Sequence, residues 1–241
     1  MGTVRVAAVA DIHCHEHVRG RIADELQPAN DLADVLVLAG DLTLVGHVSE
    51  AMILVEELRA VRVPVVAVLG NHDYELGQHA TIAGVLRHHG VHVLDGTCVT
   101  FRLNGATVGL VGTKGFCGGF GRHLIAPFGE EPLKTFVRTG FSEARKLEEG
   151  LRSLDADYRV VVLHYAPIKE TLLGETPELF PFLGTSSLCR PVDELGADVV
   201  FHGHAHYGSR FGRTPGGVPV YNVSRSVTHG FVVHRLGAAE S

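Results

Sequence analysis

Five apolar runs, rich in Val, Leu and Ala, do most to limit how this chain can fold. They are VRVAAVA (4–10), DVLVLAG (34–40), VPVVAVLG (63–70), YRVVVLH (158–164) and ADVVFHG (197–203). Because successive residues in each run are apolar, rather than every second one, we expect β-strands that are covered on both faces. Strands of this kind belong to α/β proteins, in which helices cover a largely parallel sheet. The sequence therefore predicts an α/β fold.

Each of the five runs ends in a cluster of polar residues. The clusters are Asp11-Ile12-His13, Gly40-Asp41, Gly70-Asn71-His72-Asp73, His164 and Gly203-His204-Ala205-His206. Ligands bind beyond the carboxyl ends of strands in open α/β sheets, so we expect these side chains to meet at one rim and to form a metal site. In an extended segment, side chains two residues apart point to the same side. Asp11 and His13 are therefore predicted to hold one ion together. His204 and His206 are expected to face the cleft for the same reason.

Helical patterns separate the first three runs. Residues 47–61 carry apolar residues at helical spacing, with Ser49 as the candidate N-cap, and residues 77–90 end at Gly90, a natural helix stop. The rest of the chain favours hairpins instead.

Asn104-Gly105 lies between two β-prone runs in residues 98–112, which predicts a hairpin, and residues 217–224 and 229–237 are predicted to form another. Two mixed β-sheets packed face to face with helices outside, a four-layer α-β-β-α sandwich, account for this pattern. The metal site is expected at the carboxyl-terminal ends of its strands.

No repeat or linker divides the 241 residues, so we expect one domain over residues 1–241. Two irregular segments, 113–131 and 165–186, are rich in glycine and proline respectively. Long irregular loops in compact domains are commonly functional. We interpret both segments as walls of an active-site cleft.

Composition argues against two classes of partner. The net charge of −6 argues against a nucleic-acid partner, which needs many Lys and Arg residues to neutralise phosphates. No apolar stretch is long enough to span a membrane, and the N-terminus lacks the pattern of a signal peptide. The four cysteines form no CxxC pair, so we expect free thiols and a cytoplasmic location. The oligomeric state has no signal in the sequence.

Taken in order, the motifs D-x-H, G-D, G-N-H-D, a lone H and G-H-x-H resemble those of the calcineurin-like metallophosphoesterase superfamily, from residue 11 to residue 206. The resemblance implies two metal ions. The implied ligands are Asp11, His13 and His206 for the first ion, Asn71, His164 and His204 for the second, and Asp41 as the bridge between them. A shell of His, Asp and Asn suits Mn, Fe, Zn or Co and does not choose among them.

The resemblance also implies the chemistry. A water molecule between the two cations becomes a hydroxide that attacks phosphorus, so the predicted activity is hydrolysis of a small phosphodiester or phosphomonoester. Lys114, Arg122 and His123, in the first irregular segment, are candidate phosphate contacts.

His72 is the predicted catalytic residue. It follows Asn71 and is expected to stabilise the transition state or to protonate the leaving group, because histidine gains and loses a proton near neutral pH. Some relatives support this histidine with an acidic residue or a histidine three positions after the bridging Asp. Here that position is Leu44, which is not expected to hydrogen-bond. Asp73 is a candidate replacement, although adjacent side chains often diverge.

Two alternatives remain from the sequence. The stretch DIHCHEH also resembles the first-strand motif of amidohydrolase-type barrels, including TatD-like deoxyribonucleases, in which His13 and His15 would be the ligand pair. An eight-unit barrel conflicts with the predicted hairpins. The other alternative is a non-catalytic scaffold for protein assembly on the same sandwich fold. Scaffolds of this kind have typically lost metal ligands, whereas all seven predicted ligands and His72 are present here.

Overall fold

The five apolar runs form interior strands of two β-sheets in the computed structural model, which describes residues 2–237. The strands are β1 (Val4–Val9), β2 (Val35–Ala39), β3 (Val65–Val68), β4 (His92–Val93), β5 (Cys98–Leu103), β6 (Ala106–Thr113), β7 (Tyr158–Leu163), β8 (Val199–His202), β9 (Phe211–Arg213), β10 (Pro219–Asn222) and β11 (Val232–Leu236). The first sheet has the order β11-β1-β2-β3-β4, and the second has the order β5-β6-β7-β8-β10-β9. In both sheets the interior strands are parallel, whereas β11, β5 and β9 are antiparallel edges.

The described residues contain eight helices. They are α1 (Arg21–Leu26), α2 (Ala29–Leu32), α3 (Val48–Glu57), α4 (His79–His88), α5 (Glu131–Ser153), α6 (Phe180–Leu183), α7 (Cys189–Leu195) and α8 (Arg225–Thr228). Short 3-10 turns lie at Glu16–Val18, Leu58–Ala60, His72–Tyr74, Gly121–His123, Glu170–Leu172 and Pro177–Leu179. Helices α1 to α4 pack on the first sheet, and α5 and α7 pack on the second. The predicted four-layer sandwich is confirmed.

The uninterrupted apolar character of the strands follows from this layering. On β2, Leu36 and Leu38 pack against the outer helices, whereas Val35 and Val37 pack in the layer between the sheets. Both faces of the strand are therefore buried, and neither tolerates the polar residues of a one-sided sheet. Phe201 of β8 is the largest fully buried side chain in the layer between the sheets.

The predicted Asn104-Gly105 hairpin is confirmed. These residues join β5 to β6, with Leu103 paired to Ala106, and their φ angles of 50° and 81° are both in the left-handed region. Two consecutive left-handed residues match the twist of the flanking strands, which is why Asn-Gly is favoured in two-residue hairpin turns.

The predicted closing hairpin is wrong. Strand β10 lies parallel to β8 in the second sheet, whereas β11 lies antiparallel to β1 in the first sheet. The chain changes sheets between these strands: the Ala10 amide donates to the Val223 carbonyl at 2.8 Å, and the Arg225 amide donates to the Ala10 carbonyl at 3.1 Å. Helix α8 follows at once, so the segment between the strands is a crossover rather than a turn.

The predicted helices form, with one correction and one addition. The N-cap of α3 is His47 rather than Ser49, because the His47 ring accepts the Ser49 amide while Glu50 accepts the His47 amide, as in a capping box. The longest helix, α5, is absent from the predicted elements. It contains Gly140 and Gly150, which weaken a helical pattern in the sequence. At Gly150 a side chain would collide with Gly96, so close packing explains the glycine.

Within residues 2–237, no helix combines the length and the apolar character that crossing a bilayer requires. Cys14, Cys98, Cys117 and Cys189 all carry free thiols, as predicted.

Candidate metal centre

The polar clusters at the strand ends converge into two groups that share one carboxylate. Asp11, His13, Asp41 and His206 form the first group, and Asp41, His164 and His204 form the second. In each group, one potential ligand atom per residue lies within 4.8 Å of the others. Residues that directly follow β1, β2, β7 and β8 therefore meet at the carboxyl ends of these strands. Asp41 is common to both groups.

The backbone is left-handed at four of the predicted ligands. The φ angles are 58° at Asp11, 46° at His13, 50° at Asp41 and 70° at His204, and only two other non-glycine residues in the described chain, Asn104 and His229, share this conformation. Left-handed backbone costs about 1–2 kcal/mol for a residue with a side chain. Strained backbone clusters at functional sites, where the surrounding structure holds it in place.

This geometry corrects the expectation that Asp11 and His13 converge because they alternate on an extended segment. Strand β1 ends at Val9, and both residues leave it with positive φ. Their side chains reach one group because the turn directs them there. His204 and His206 likewise follow β8 in a turn rather than in a strand.

Glycines before the predicted ligands are required by close approach. A Cβ at Gly70 would collide with the backbone and carboxylate of Asp41, and a Cβ at Gly40 would collide with the His164 ring. Gly40 also has φ at 88°, which glycine adopts without strain. At Gly40 and Gly70, any side chain would therefore collide with a predicted ligand.

Asp41 is buried at the centre of the site. Its Oδ1 accepts the His72 amide at 2.9 Å and lies 3.3 Å from His164 Nε2, and its Oδ2 lies 4.0 Å from His13 Nε2. Burial works to raise the pKa of Asp41, but the charge and hydrogen bond of His164 outweigh it, so that pKa lies well below its ordinary range. Asp41 therefore stays a carboxylate.

His164 is the fully buried partner of Asp41. Its Nδ1 donates to the Ala39 carbonyl at 3.1 Å, and its Nε2 lies 2.8 Å from Asn71 Oδ1. Burial works to lower the pKa of His164, but the Asp41 carboxylate outweighs it and raises the pKa to about 9. This corner of the site stabilises positive charge. Asn71 is therefore in direct contact with His164, with which it is predicted to share an ion.

Asp11 and His206 form the other side of the site. His206 Nε2 lies 3.3 Å from Asp11 Oδ1, and the hydrogen bond to Asp11 raises the pKa of His206. Both Asp11 oxygens also lie within 3.2 Å of the His204 amide nitrogen. Asp11 therefore ties the loop after β1 to the loop after β8.

His204 and His202 have different surroundings. Burial lowers the pKa of His204 to about 3, and its Nε2 donates to the Phe182 carbonyl at 3.3 Å. His202 is a buried core histidine with a hydrogen-bond partner for each ring nitrogen. Its Nδ1 donates to the Gly203 carbonyl at 2.8 Å and its Nε2 accepts from the Thr171 hydroxyl at 2.8 Å.

Two buried polar atoms in the site fit a metal-binding role for these residues. Asp41 Oδ2 and His13 Nδ1 have no hydrogen-bond partner in the described chain. Buried polar atoms are nearly always satisfied, and each exception requires an explanation. Coordination to a cation would explain why the Asp41 oxygen has no hydrogen-bond partner. Carboxylate, imidazole and amide ligands together suit Mn, Fe, Zn or Co.

His72 lies at the edge of the site and is supported in a way that the sequence does not predict. Its Nδ1 donates to the backbone carbonyl of Leu44 at 2.6 Å, and its Nε2 lies 3.9 Å from Asp41 Oδ2. The expectation that Leu44 does not hydrogen-bond is wrong, because the main chain at this position is the acceptor. A backbone acceptor has no signature in the sequence.

Asp73 does not contact the His72 ring. The fully buried Asp73 carboxylate accepts the amides of Leu42, Thr43 and Gly70 at 3.2, 2.8 and 2.7 Å, and the Thr43 hydroxyl at 2.6 Å. It therefore holds the loop after β2 against the loop after β3, so that Asp41 and His72 keep a fixed relation.

Arg225 is a further residue of the site to which the sequence assigns no role. Its guanidinium donates to both Glu25 oxygens, at 3.0 and 2.7 Å, and to the Ile12 carbonyl at 3.0 Å. Ile12 lies between the left-handed residues Asp11 and His13. Arg225, held by Glu25, therefore stabilises the strained turn through the Ile12 carbonyl. Glu25 and Arg225 are 200 positions apart, so only the fold reveals the pair.

The candidate phosphate contacts fall into two kinds. Lys114 is partly buried: its Nζ donates to the Gly115 carbonyl at 2.9 Å and lies 5.3, 4.9 and 5.1 Å from the ring centroids of Tyr74, Phe116 and Tyr165. Burial lowers the pKa of this ammonium. Tyr165 in turn lies 4.4 Å from the His204 ring, so Lys114 is one side chain away from the site.

Arg122 and His123 are exposed and contact each other, with Arg122 Nε 3.2 Å from His123 Nε2. In the described chain no hydrogen bond or ion pair joins either residue to the predicted ligands. Their assignment as phosphate contacts stays a prediction.

The two irregular segments are joined beside the site. The Gly118 amide donates to the Pro181 carbonyl at 2.8 Å, and the Gly119 amide donates to the Gly184 carbonyl at 3.0 Å. Because Phe182 also accepts from His204, the second segment borders the predicted ligands directly.

The fold and the site define an α/β sandwich with a candidate metal centre, and comparison with known proteins gives its family. The sequence model of the calcineurin-like phosphoesterase family matches residues 4–208. The chain belongs to the calcineurin-like phosphoesterase family.

Known proteins are similar to this chain in sequence or in fold. YpbG of Bacillus subtilis (strain 168) is 28% identical over 211 residues, which are 85% of this chain and 62% of YpbG. The chain thus spans less than two thirds of the length of this relative. The phosphopantetheinyl hydrolase PptH from Mycobacterium tuberculosis has a similar fold, with a TM-score of 0.69, 18% identity and coverage of 91% of this chain and 88% of PptH.

GAP50, the anchor in the inner membrane complex of Plasmodium, also shares the fold. Its TM-score is 0.58 at 12% identity, with coverage of 97% of this chain and 81% of GAP50. At such identities both structures show the fold alone. Two face-to-face sheets overturn the alternative of an amidohydrolase-type barrel, which needs one closed sheet.

Proposed function

We propose that the chain is a metal-dependent phosphoesterase with a pair of divalent or trivalent cations. The observation that carries the proposal is that Asp41 belongs to both ligand groups. A carboxylate has two oxygens and can share its charge between two cations. We assign Asp11, His13 and His206 to one cation and Asn71, His164 and His204 to the other, with Asp41 shared.

Two bound cations would supply Lewis-acid polarisation of the phosphate and an acidified water as nucleophile. The chain's own residues position the reaction. Asp73 fixes the loop of Asp41 against the loop of His72, and the Leu44 carbonyl holds the His72 ring. Nε2 of His72 is directed toward Asp41, so we assign this nitrogen to the scissile oxygen, where it stabilises charge or delivers a proton.

A complete ligand set favours an enzyme over a scaffold. A protein that serves only assembly has no need of four strained residues whose side chains meet at one point, because left-handed backbone is costly. The same fold in GAP50 does not decide this question, since fold alone does not fix function.

Hydrolysis of two chromogenic esters tests the proposal. The Mn²⁺-loaded protein is expected to hydrolyse bis-p-nitrophenyl phosphate, p-nitrophenyl phosphate or both, and the ratio of the two rates assigns it as a diesterase or a monoesterase. Turnover should disappear with chelator and return with Mn²⁺. Stoichiometric metal binding without hydrolysis of any phosphate ester would favour a scaffold.

A further inference from the structure

Exposed apolar side chains concentrate at the end of the molecule that carries the predicted metal ligands. Of the eleven large apolar side chains that are exposed in the described chain, seven lie in segments that connect the carboxyl end of a strand to the next helix or strand, two of them in short helical turns. These seven are Val45, Leu76, Phe128, Leu173, Leu179, Phe182 and Tyr207. Single exposed apolar residues are ordinary, but a concentration beside a polar site indicates a binding surface.

Four of these residues form what we call the apolar lip: Leu173, Leu179, Phe182 and Tyr207. They are 55%, 47%, 54% and 78% exposed. Three belong to the segment 165–186, and Tyr207 directly follows the predicted ligand His206.

Hydrogen bonds join the parts of the apolar lip to one another and to the site. The Tyr207 amide donates to Glu175 at 2.7 Å, and the Ser209 hydroxyl donates to the Leu173 carbonyl at 2.9 Å. At the inner end, the Phe182 carbonyl accepts from His204. These bonds tie Leu173, Phe182 and Tyr207 to the loop that carries the predicted ligands His204 and His206.

The charges on the same segment disfavour polyanionic occupants. Residues 165–186 contain the carboxylates Glu170, Glu175 and Glu178 and one ammonium, Lys169, which lies 5.6 Å from the Phe180 ring centroid. Nucleic acids and anionic membranes bind surfaces rich in Lys and Arg. An excess of carboxylates beside apolar side chains favours an uncharged apolar group instead.

We propose that the apolar lip binds an uncharged alkyl or aryl substituent of the phosphate-ester substrate while the phosphate group lies at the metal centre. This inference rests on the proposed function and deepens it by naming the substrate class. The substrate is an amphiphilic phosphate ester, with one polar end for the cations and one apolar end for the lip.

A series of n-alkyl phosphates, from methyl to octyl, tests the inference by calorimetric titration of the Mn²⁺-loaded chain. A methylene that loses about half of its surface to the lip should strengthen binding about twofold, so Kd is expected to fall about twofold for each added methylene. Leu179→Ser and Phe182→Ser should flatten this dependence, and Phe182→Ser leaves the backbone carbonyl beside His204 in place. Met52→Ser is the matched control, because Met52 is 41% exposed on α3, outside the lip.

A flat series, no binding of any member, or an unchanged slope in both lip variants would overturn the inference. Two further measurements test other occupants of the lip: light scattering detects a dimer, and sedimentation with phosphatidylcholine vesicles detects membrane binding. If the alkyl series is flat and the lip variants abolish dimerisation, the inference is overturned in favour of a second copy of the chain. If the series is flat and the variants abolish vesicle binding, it is overturned in favour of a membrane. The two proposals fail separately. Hydrolysis of either p-nitrophenyl ester together with a flat series contradicts the inference alone. A steep series without hydrolysis of either ester contradicts the proposed activity alone.

Discussion

The Nδ1 atom of His72 donates a hydrogen bond to the Leu44 carbonyl oxygen, 2.6 Å away. Because a carbonyl oxygen only accepts, the bond keeps a proton on Nδ1 and leaves Nε2 directed toward Asp41. The main chain thereby provides the support that a side chain provides in some relatives.

This hydrogen bond predicts that substitution of His72 lowers turnover, whereas substitution of the Leu44 side chain does not. His72→Ala should lower kcat for bis-p-nitrophenyl phosphate by about 10²–10⁴, because the group that serves the scissile oxygen is lost. Leu44→Ala retains the carbonyl and should keep kcat within about threefold of the parent. Metal content, measured by elemental analysis, should equal that of the parent in both. Parent-like turnover in His72→Ala would show that another residue has the assigned role.

Asp41 and Asp11 should differ in how many cations they control. Asn offers one neutral oxygen in place of two that share a negative charge, so Asp41→Asn should weaken both binding steps in a calorimetric titration with Mn²⁺. Asp11→Asn should mainly weaken one step, since Asp11 belongs to one group only. Two full-affinity steps in Asp41→Asn would contradict the shared carboxylate.

Arg225 should affect metal affinity although it is not a predicted metal ligand. Arg225→Gln removes the bonds to Glu25 and Ile12, which frees the turn that carries Asp11 and His13. Loss of groups that orient ligands typically costs about 10–100-fold in metal affinity, and we expect a loss in that range at one of the two sites. Arg152→Gln, which removes an exposed ion pair with Glu148, is the matched control. Equal affinities in the two variants would assign Arg225 to stability alone.

Asp34 should make stability depend on pH. It accepts from the Arg5 amide at 2.8 Å, the Arg5 guanidinium at 2.9 Å and Asn104 Nδ2 at 3.2 Å. Burial works to raise the pKa of Asp34, but the bonds and charge of Arg5 outweigh it and lower that pKa. A carboxyl whose pKa is lower in the folded state stabilises the fold above its ordinary pKa of about 3.9. That contribution is lost as the pH falls through the folded value.

Urea denaturation of the parent and of Asp34→Asn therefore should differ at pH 7 and converge toward pH 2. Because the pair is partly exposed and screened by solvent, the difference at pH 7 is expected to be at most about 1 kcal/mol. A difference that persists unchanged at pH 2 would show that the charge of Asp34 is not its cause.

The sequence predicts most of the fold because the buried strands are recognisable from their apolar composition alone. Runs such as 34–40 and 158–164 are apolar without alternation, and burial on both faces requires this. The convergence of Asp11, Asp41 and His164 follows from strand ends that share one rim.

What the sequence does not predict depends on contacts between distant residues or on the main chain. Strands β10 and β11 have the composition of a hairpin, but Ala10 pairs with the chain between them and sends them to different sheets. The left-handed turns at Asp11 and His13 have no local signature, since neither residue is glycine. The Leu44 carbonyl and the Arg225–Glu25 pair become visible only once the loops are in place.

Anomalous diffraction from a crystal soaked in Mn²⁺ tests the central claim most directly. We predict two peaks about 3.5–4 Å apart on either side of the Asp41 carboxylate. One should lie against Asp11, His13 and His206, and the other against Asn71, His164 and His204. A single peak, or two peaks that Asp41 does not join, would contradict the account.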